Sequence, residues 1–188
     1  MNLPTKLYHY SENPLKNLTQ DFHDMHRARL PMFAKPYGFW LSIEDFEEDQ
    51  NWKTWSEANK FNLCSLKHKY LVTLKKKAKI LYLQTNAQLI EFGLKYKGND
   101  PEDFFKYSQD RTRPPYIYLI DWKIVMSEYD GIIIAPFQWD CVFINPTASW
   151  YYGWDCSSGC IWNVSAVKSF VLESIQEERL ECPKKEIH

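Results

Sequence analysis

A strong net charge, a membrane-length apolar run and a secretory leader are all missing from this sequence. Its 188 residues carry a formal net charge of −1, which gives no general attraction to nucleic acid or to anionic membranes. Basic residues concentrate only at 75–79, a run typical of a solvated sheet edge guarded by lysines. The N-terminal MNLPTKLYHYS has no apolar signal-peptide core, and no apolar run approaches bilayer length. We therefore expect a cytoplasmic protein without membrane association and without a strong nucleic-acid signature.

A metal-binding cysteine pattern is also missing. The five cysteines contain no CxxC pair, and Cys156 and Cys160 are four residues apart with no second pair at metal spacing. We expect no metal site and reduced thiols. A nucleophilic site formed by one of these two cysteines with His9 stays open as an alternative.

The sequence does contain enough apolar residues, 45% of the chain, for one domain with a full core. Alternating and β-branched patterns predict strands at 6–11, 39–42, 69–74, 79–83, 132–135 and 141–145, and another at 160–163. Periodic patterns predict helices at 44–61, 85–96, 117–128 and 171–180. Strands and helices do not alternate regularly, so we predict an α+β domain over 1–182 with a frayed tail at 183–188.

The segment 150–170, WYYGWDCSSGCIWNVSAVKSF, concentrates rings beside small polar residues. Glycine and paired serines allow close backbone approach to a ligand, and the rings supply flat faces. Two interpretations fit this composition. The rings either line a ligand site, or they form core around a tight turn that precedes a buried strand.

Four short motifs occur in a fixed order along the chain: LYHYS at 7–11, GFWLS at 38–42, YDGI at 129–132 and SGCIWNVSAVK at 158–168. This ordered set resembles the ADP-ribosyltransferase superfamily, the NAD-cleaving proteins that include diphtheria-type toxins and poly(ADP-ribose) polymerases. The resemblance implies a split β-sheet cleft with flanking helices, in which two short sheets face each other. It also implies a mono-ADP-ribosyltransferase that moves ADP-ribose from NAD to a protein or nucleic-acid acceptor and releases nicotinamide.

The resemblance assigns cofactor-binding roles to individual side chains. His9 would lie beside the adenosine-side ribose with Ser11 assisting, and Trp40 would lie under the nicotinamide with Ser42 close by. Trp154 would add a ring to the same site.

One position departs from the family pattern. The catalytic glutamate of the family would fall at Ser158, and no glutamate lies between Glu128 and Glu173. That carboxylate steadies positive charge as the bond to nicotinamide breaks, which is why an anion suits the position. Asp155 is the only acid within the motif, so Asp155 and Ser158 are the candidate catalytic residues. A domain that binds NAD without transferring ADP-ribose stays open.

Two further functions stay open beside this one. The rings at 150–154 could stack on sugars or bases in a non-catalytic nucleotide- or sugar-binding module. The second open function is an NAD-consuming enzyme that acts on RNA 2′-phosphate. Such enzymes use several arginines and histidines, and this chain has few arginines. The sequence predicts neither the acceptor nor the oligomeric state.

Overall fold

The structure is a computed structural model that describes residues 2–18, 35–47, 49–98, 120–143 and 146–176. Its strands are β1 (Leu7–Ser11), β2 (Phe39–Ile43), β3 (His68–Leu74), β4 (Ile80–Leu83), β5 (Gly131–Ile134), β6 (Ser158–Ile161) and β7 (Val167–Ile175). Its α-helices are α1 (Trp52–Asn59), α2 (Asn86–Lys95), α3 (Trp122–Glu128) and α4 (Trp139–Phe143). The predicted tail at 183–188 lies outside the described residues.

The seven strands form one mixed sheet in the order β4–β5–β6–β2–β1–β3–β7. β4 and β5 are parallel, and every other neighbouring pair is antiparallel. A mixed sheet with helices between the later strands is consistent with the predicted α+β class. Two separate facing sheets were expected, but the described strands form one sheet that is hydrogen-bonded continuously from β4 to β7.

The two faces of the central strands carry different side chains, because successive residues of a strand point to opposite sides. We call one side the tryptophan face; it carries Tyr8, Tyr10, Trp40, Ser42, Ser158 and Cys160. We call the other side the histidine face; it carries Leu7, His9, Ser11, Phe39, Leu41 and Ile161. Residues directly opposite each other on neighbouring strands share a face, which fixes these two sets.

Each face buries its own apolar cluster. The tryptophan face packs against α2, α3 and the 3-10 segment Pro146–Gly153 through Leu89, Phe92 and Trp150. The histidine face packs against Leu3, Leu15, Leu18 and Phe46, which come from segments without regular secondary structure. The helices therefore lie mainly on the tryptophan face.

Of the three described helices with a side-chain cap, only α2 begins within one residue of its predicted start. Thr85 caps α2 by accepting the Gln88 N–H, and Asp121 caps α3. The helix predicted over 117–128 begins only at Trp122. The helix predicted over 44–61 begins at Trp52, where Asn51 forms a capping box with Thr54.

Two predicted elements are wrong. Residues 141–145 were expected as a strand, but Trp139–Phe143 forms α4, whose Cys141 thiol lies 3.3 Å from Asn86 Oδ1. A short apolar run does not reveal its period, so it fits a buried helix as well as a strand. Residues 171–180 were expected as a helix, but Val167–Ile175 pairs with β3 along its length. Pairing with an open sheet edge outweighs the helix propensity of the glutamates in this segment.

Within the described ranges, no helix combines the length and apolar character needed to cross a membrane. The lysine run at 75–79 lies between β3 and β4, and Lys76, Lys77 and Lys79 are exposed there, as the sequence indicates. Cys64 is disulfide-bonded, so the expectation of reduced thiols is wrong at that position, whereas Cys141, Cys156 and Cys160 are free.

Candidate functional site

Three of the motif-bearing strands are direct neighbours at the centre of the sheet. β2 pairs with β1 on one side and with β6 on the other, and both pairs are antiparallel. The register sets Trp40 opposite Cys160 and Ser42 opposite Ser158. The LYHYS, GFWLS and SGCI segments, far apart in sequence, therefore meet in one region.

Trp40, Ser42 and Ser158 form the centre of this region on the tryptophan face. Ser42 Oγ accepts the N–H of Trp52, the first residue of α1, at 3.2 Å. Ser158 Oγ donates to the Cys156 carbonyl at 3.0 Å, and its side chain is buried. The two hydroxyls are thus held by backbone groups next to the start of a helix.

Asp155 approaches this region through Lys35. The Lys35 ammonium lies 3.2 Å from Asp155 Oδ2 and 5.6 Å from the centre of the half-buried Trp40 ring. About a third of the Asp155 side chain is exposed, so water and salt screen this ion pair. Asp155 is therefore near Trp40, but its charge is already matched by one lysine.

His9 and Ser11 lie on the histidine face, on the other side of the sheet from Trp40 and Ser42. The His9 ring stacks on Phe39 with centroids 4.2 Å apart, and its Nδ1 lies 2.8 Å from the Trp40 carbonyl oxygen. A carbonyl only accepts, so Nδ1 carries the proton and Nε2 is left as an acceptor. Burial lowers the pKa of His9 and outweighs the opposing effect of that hydrogen bond, which favours the neutral ring.

The ring cluster at 150–154 is mostly core. Trp150, Tyr151 and Trp154 are at most 1% exposed, and only Tyr152 presents its ring to solvent. Trp154 stacks on Tyr151 and meets the Trp40 ring edge-on, with centroids 5.1 Å apart. The stacking surface suggested by the sequence is therefore not formed by these rings. Trp154 reaches the candidate site only as support for Trp40.

A polar cluster next to the serines was not foreseen from the sequence. Glu44 Oε1 accepts the Tyr10 hydroxyl at 2.7 Å and the Ser42 hydroxyl at 3.4 Å. Lys69 bridges Glu44 and Glu173, at 3.0 and 3.2 Å, and lies 3.6 Å from the centre of the Tyr8 ring. We call Tyr8, Tyr10, Glu44, Lys69 and Glu173 the acidic cluster.

The acidic cluster could be recognised in part from spacing. Glu44 follows Ser42 by two residues, which places it on the same side of an extended chain. The pairing of β1 with β3 and of β3 with β7, which brings Lys69 and Glu173 to it, has no signal in the sequence. Burial and the Glu44 carboxylate raise the pKa of Tyr10, so the phenol donates its proton. Burial alone would lower the pKa of Lys69, but the two glutamates raise it overall and keep the ammonium charged.

The thiols near the site are not activated. Burial raises the pKa of Cys156 to about 12 and raises that of Cys160 well above its usual value. Cys160 also lies on the tryptophan face, whereas His9 lies on the opposite one. The alternative of a Cys–His nucleophilic site therefore has no support, because reactivity requires a thiolate beside its base.

Within the described part of the chain, no group of three or more histidine, cysteine, aspartate or glutamate side chains is arranged to hold a metal ion. No family model, curated protein or solved structure matches the chain. The motif resemblance and the geometry of the site are therefore the grounds for assigning a function.

Proposed function

We propose that this protein cleaves NAD and transfers ADP-ribose to a macromolecular acceptor, releasing nicotinamide, as a mono-ADP-ribosyltransferase. One observation carries the proposal. The strands with the LYHYS, GFWLS and SGCI motifs are neighbours in the sheet, and Trp40, Ser42 and Ser158 share one face.

In this proposal the nicotinamide ring stacks on Trp40. The indole is half-buried and supported edge-on by Trp154, which fixes a flat face at low entropic cost. Lys35 beside that ring is the described cation nearest to the pyrophosphate in this proposal, and the pyrophosphate would compete for it with Asp155. Ser42 and Ser158, directly opposite each other and both buried, lie beneath the nicotinamide-side ribose in this proposal.

His9 enters the proposal as a positioning residue. Its Nδ1–H holds the Trp40 carbonyl from the other face of the sheet, so it orients the backbone that carries the stacking ring. Ser11 shares the face of His9, and its hydroxyl donates to the Asn13 carbonyl at 2.8 Å. Direct contact of both residues with the adenosine-side ribose stays a prediction.

A second candidate is binding of NAD without transfer. The observation in its favour is Ser158, a neutral side chain at the position where the family has its catalytic glutamate. A serine accepts and donates hydrogen bonds but gives no negative charge to a developing cation. The two candidates differ in whether nicotinamide is released.

The test combines NAD titration with measurement of nicotinamide release for wild type, Trp40→Ala and the control Trp139→Ala. Trp139 is a half-exposed tryptophan on α4, so its removal controls for the loss of an indole. We expect wild type to bind NAD and release nicotinamide. Trp40→Ala should lose about 1–3 kcal/mol of binding free energy, while Trp139→Ala binds as wild type does.

The outcomes separate the candidates. Wild type that binds NAD and releases no nicotinamide would favour the non-catalytic protein. Wild type that shows no binding at millimolar NAD would refute both. Equal losses in the two tryptophan variants would place the cofactor away from Trp40.

A further inference from the structure

Glu44 stands next to the serines at the centre of the sheet. It follows Ile43, the last residue of β2, and its Oε1 is 3.4 Å from Ser42 Oγ. Ser42 in turn is directly opposite Ser158, where the motif lacks a glutamate. A carboxylate is thus present at the site, contributed by the end of β2 rather than by β6.

The Glu44 carboxylate is oriented and still has an open acceptor position. Tyr10 and Ser42 donate to Oε1, and Lys69 donates to Oε2. An ionised carboxylate has about four acceptor positions, and these described donors use three. The side chain is 17% exposed, which leaves an approach for a substrate hydroxyl.

The surrounding charges leave the acidic cluster negative. Lys69 is a single cation that bridges two carboxylates, Glu44 and Glu173, so one formal negative charge is not balanced within the cluster. In a partly buried site that charge acts more strongly on a nearby cation than it would in water. Asp155, by contrast, is paired one-to-one with Lys35 and is more exposed.

The spacing along β2 suits a nucleoside lying over the strand. Trp40 and Ser42 are two positions apart on β2, a rise of about 6.6 Å. The hydroxyls of a ribose joined to a pyridine ring lie within that distance of the ring centre. A ring stacked on Trp40 therefore brings its ribose over Ser42, beside the Glu44 carboxylate.

We propose that Glu44 is the catalytic carboxylate of this protein, which accepts a hydroxyl of the nicotinamide-side ribose and stabilises the positive charge that develops when NAD is cleaved. This rests on the proposed function. In the step, the bond between ribose C1′ and the nicotinamide nitrogen breaks, and its electron pair leaves with the nitrogen, which becomes neutral. The cation at C1′ is then captured by an oxygen of water or of the acceptor, which releases its proton to solvent.

The experiment measures nicotinamide release and NAD affinity for wild type, Glu44→Gln, Glu44→Asp and Asp155→Asn. The control is Glu128→Gln. Glu128 is also held by a tyrosine hydroxyl and a lysine, namely Tyr96 and Lys95 at the end of α2, but it lies outside the acidic cluster. We expect Glu44→Gln to lower the rate of release about a hundred- to a thousandfold with NAD affinity nearly unchanged. Glu44→Asp should keep part of the activity, the control Glu128→Gln should stay near wild type, and Asp155→Asn should lose far less activity than Glu44→Gln.

A double variant distinguishes the loss of a negative charge from damage to the fold. Ser158→Glu places a carboxylate on β6 opposite Ser42, so adding it to Glu44→Gln should restore part of the release if the missing group is negative charge at this point. Glu44→Gln with wild-type release overturns the proposal and leaves the proposed function standing, as does a loss confined to Asp155→Asn. A folded Glu44→Gln that has lost both release and NAD binding also overturns it, because the carboxylate would then act in binding. Wild type that releases no nicotinamide overturns the proposed function and this inference with it.

Discussion

His9 and Trp40 are joined by a hydrogen bond and yet belong to opposite faces of one sheet. The imidazole Nδ1 lies 2.8 Å from the Trp40 carbonyl oxygen, while the indole points away on the far side. The histidine can therefore influence the tryptophan only through the backbone of β2. This arrangement makes stability, rather than ligand contact, the first property that depends on His9.

Stability should fall in mildly acidic solution because of His9. Its pKa is lowered in the folded protein below the ordinary value of 6.5, so the unfolded chain binds a proton that the folded protein resists. The free energy of unfolding should therefore decrease as pH falls below about 6.5, until the pH reaches the lowered pKa of His9 in the folded protein. His9→Asn keeps a donor for the Trp40 carbonyl without titrating, so its melting temperature should drop less over this interval. Parallel melting curves for the two proteins at every pH would contradict the assignment.

The accuracy of the sequence-based predictions differs from one secondary-structure element to another. Strands with local alternation or a continuous apolar run, such as LYHYS and GIII, were predicted close to their observed bounds, and so was the helix α2. β7 was missed because its conformation depends on pairing with β3, about a hundred residues earlier in the chain. The acidic cluster was missed for the same reason, since its members come from three strands and from the end of a fourth.

The site residues show the same limit. Trp40, Ser42 and Ser158 were predicted from motifs, and the sheet brings them to one face. His9 was predicted from the same kind of motif, but the side to which it points depends on register, and register is a property of the assembled sheet. Trp154 was predicted to contact the ligand, but aromatic rings are common both in binding sites and in cores. Only the burial of the ring in the folded protein distinguishes the two roles.

Trp154 and Tyr152 should differ sharply in their effect on stability. Trp154→Ala removes a side chain that is 1% exposed, so we expect a loss of about 3–5 kcal/mol in the free energy of unfolding. Tyr152→Ala removes an exposed ring two residues away and should change stability by less than about 0.5 kcal/mol. Chemical denaturation of the two variants makes the comparison. Similar small losses in both would restore the interpretation of the segment as a binding surface.

We expect the Asp49 carboxylate to stabilise the backbone around Ser158 more than any other acidic side chain does. Its carboxylate accepts the N–H of Phe137 at 3.0 Å and that of the adjacent Gln50 at 2.9 Å. It also accepts the hydroxyl of the fully buried Ser157. Asp49→Ala leaves these donors without their acceptor, so the free energy of unfolding should fall by about 1.5–3 kcal/mol. Asp155→Asn, which breaks only a partly exposed ion pair, serves as the control and should cost no more than about 1 kcal/mol. Equal costs for the two variants would show that Asp49 is not a structural centre.

The central position of β6 has a consequence for biosynthesis. β6 comes from residues 158–161 but lies between β5 and β2, and Gly159 fits there so tightly that an added Cβ would be 2.9 Å from the Ile132 carbonyl oxygen. Until this segment leaves the ribosome, β2 and β5 each present an unpaired strand edge with apolar neighbours, the condition that favours aggregation of nascent chains. The sheet can therefore be completed only after residue 161 has been synthesised, and a product truncated before residue 158 is expected to require chaperones rather than to fold as a smaller domain.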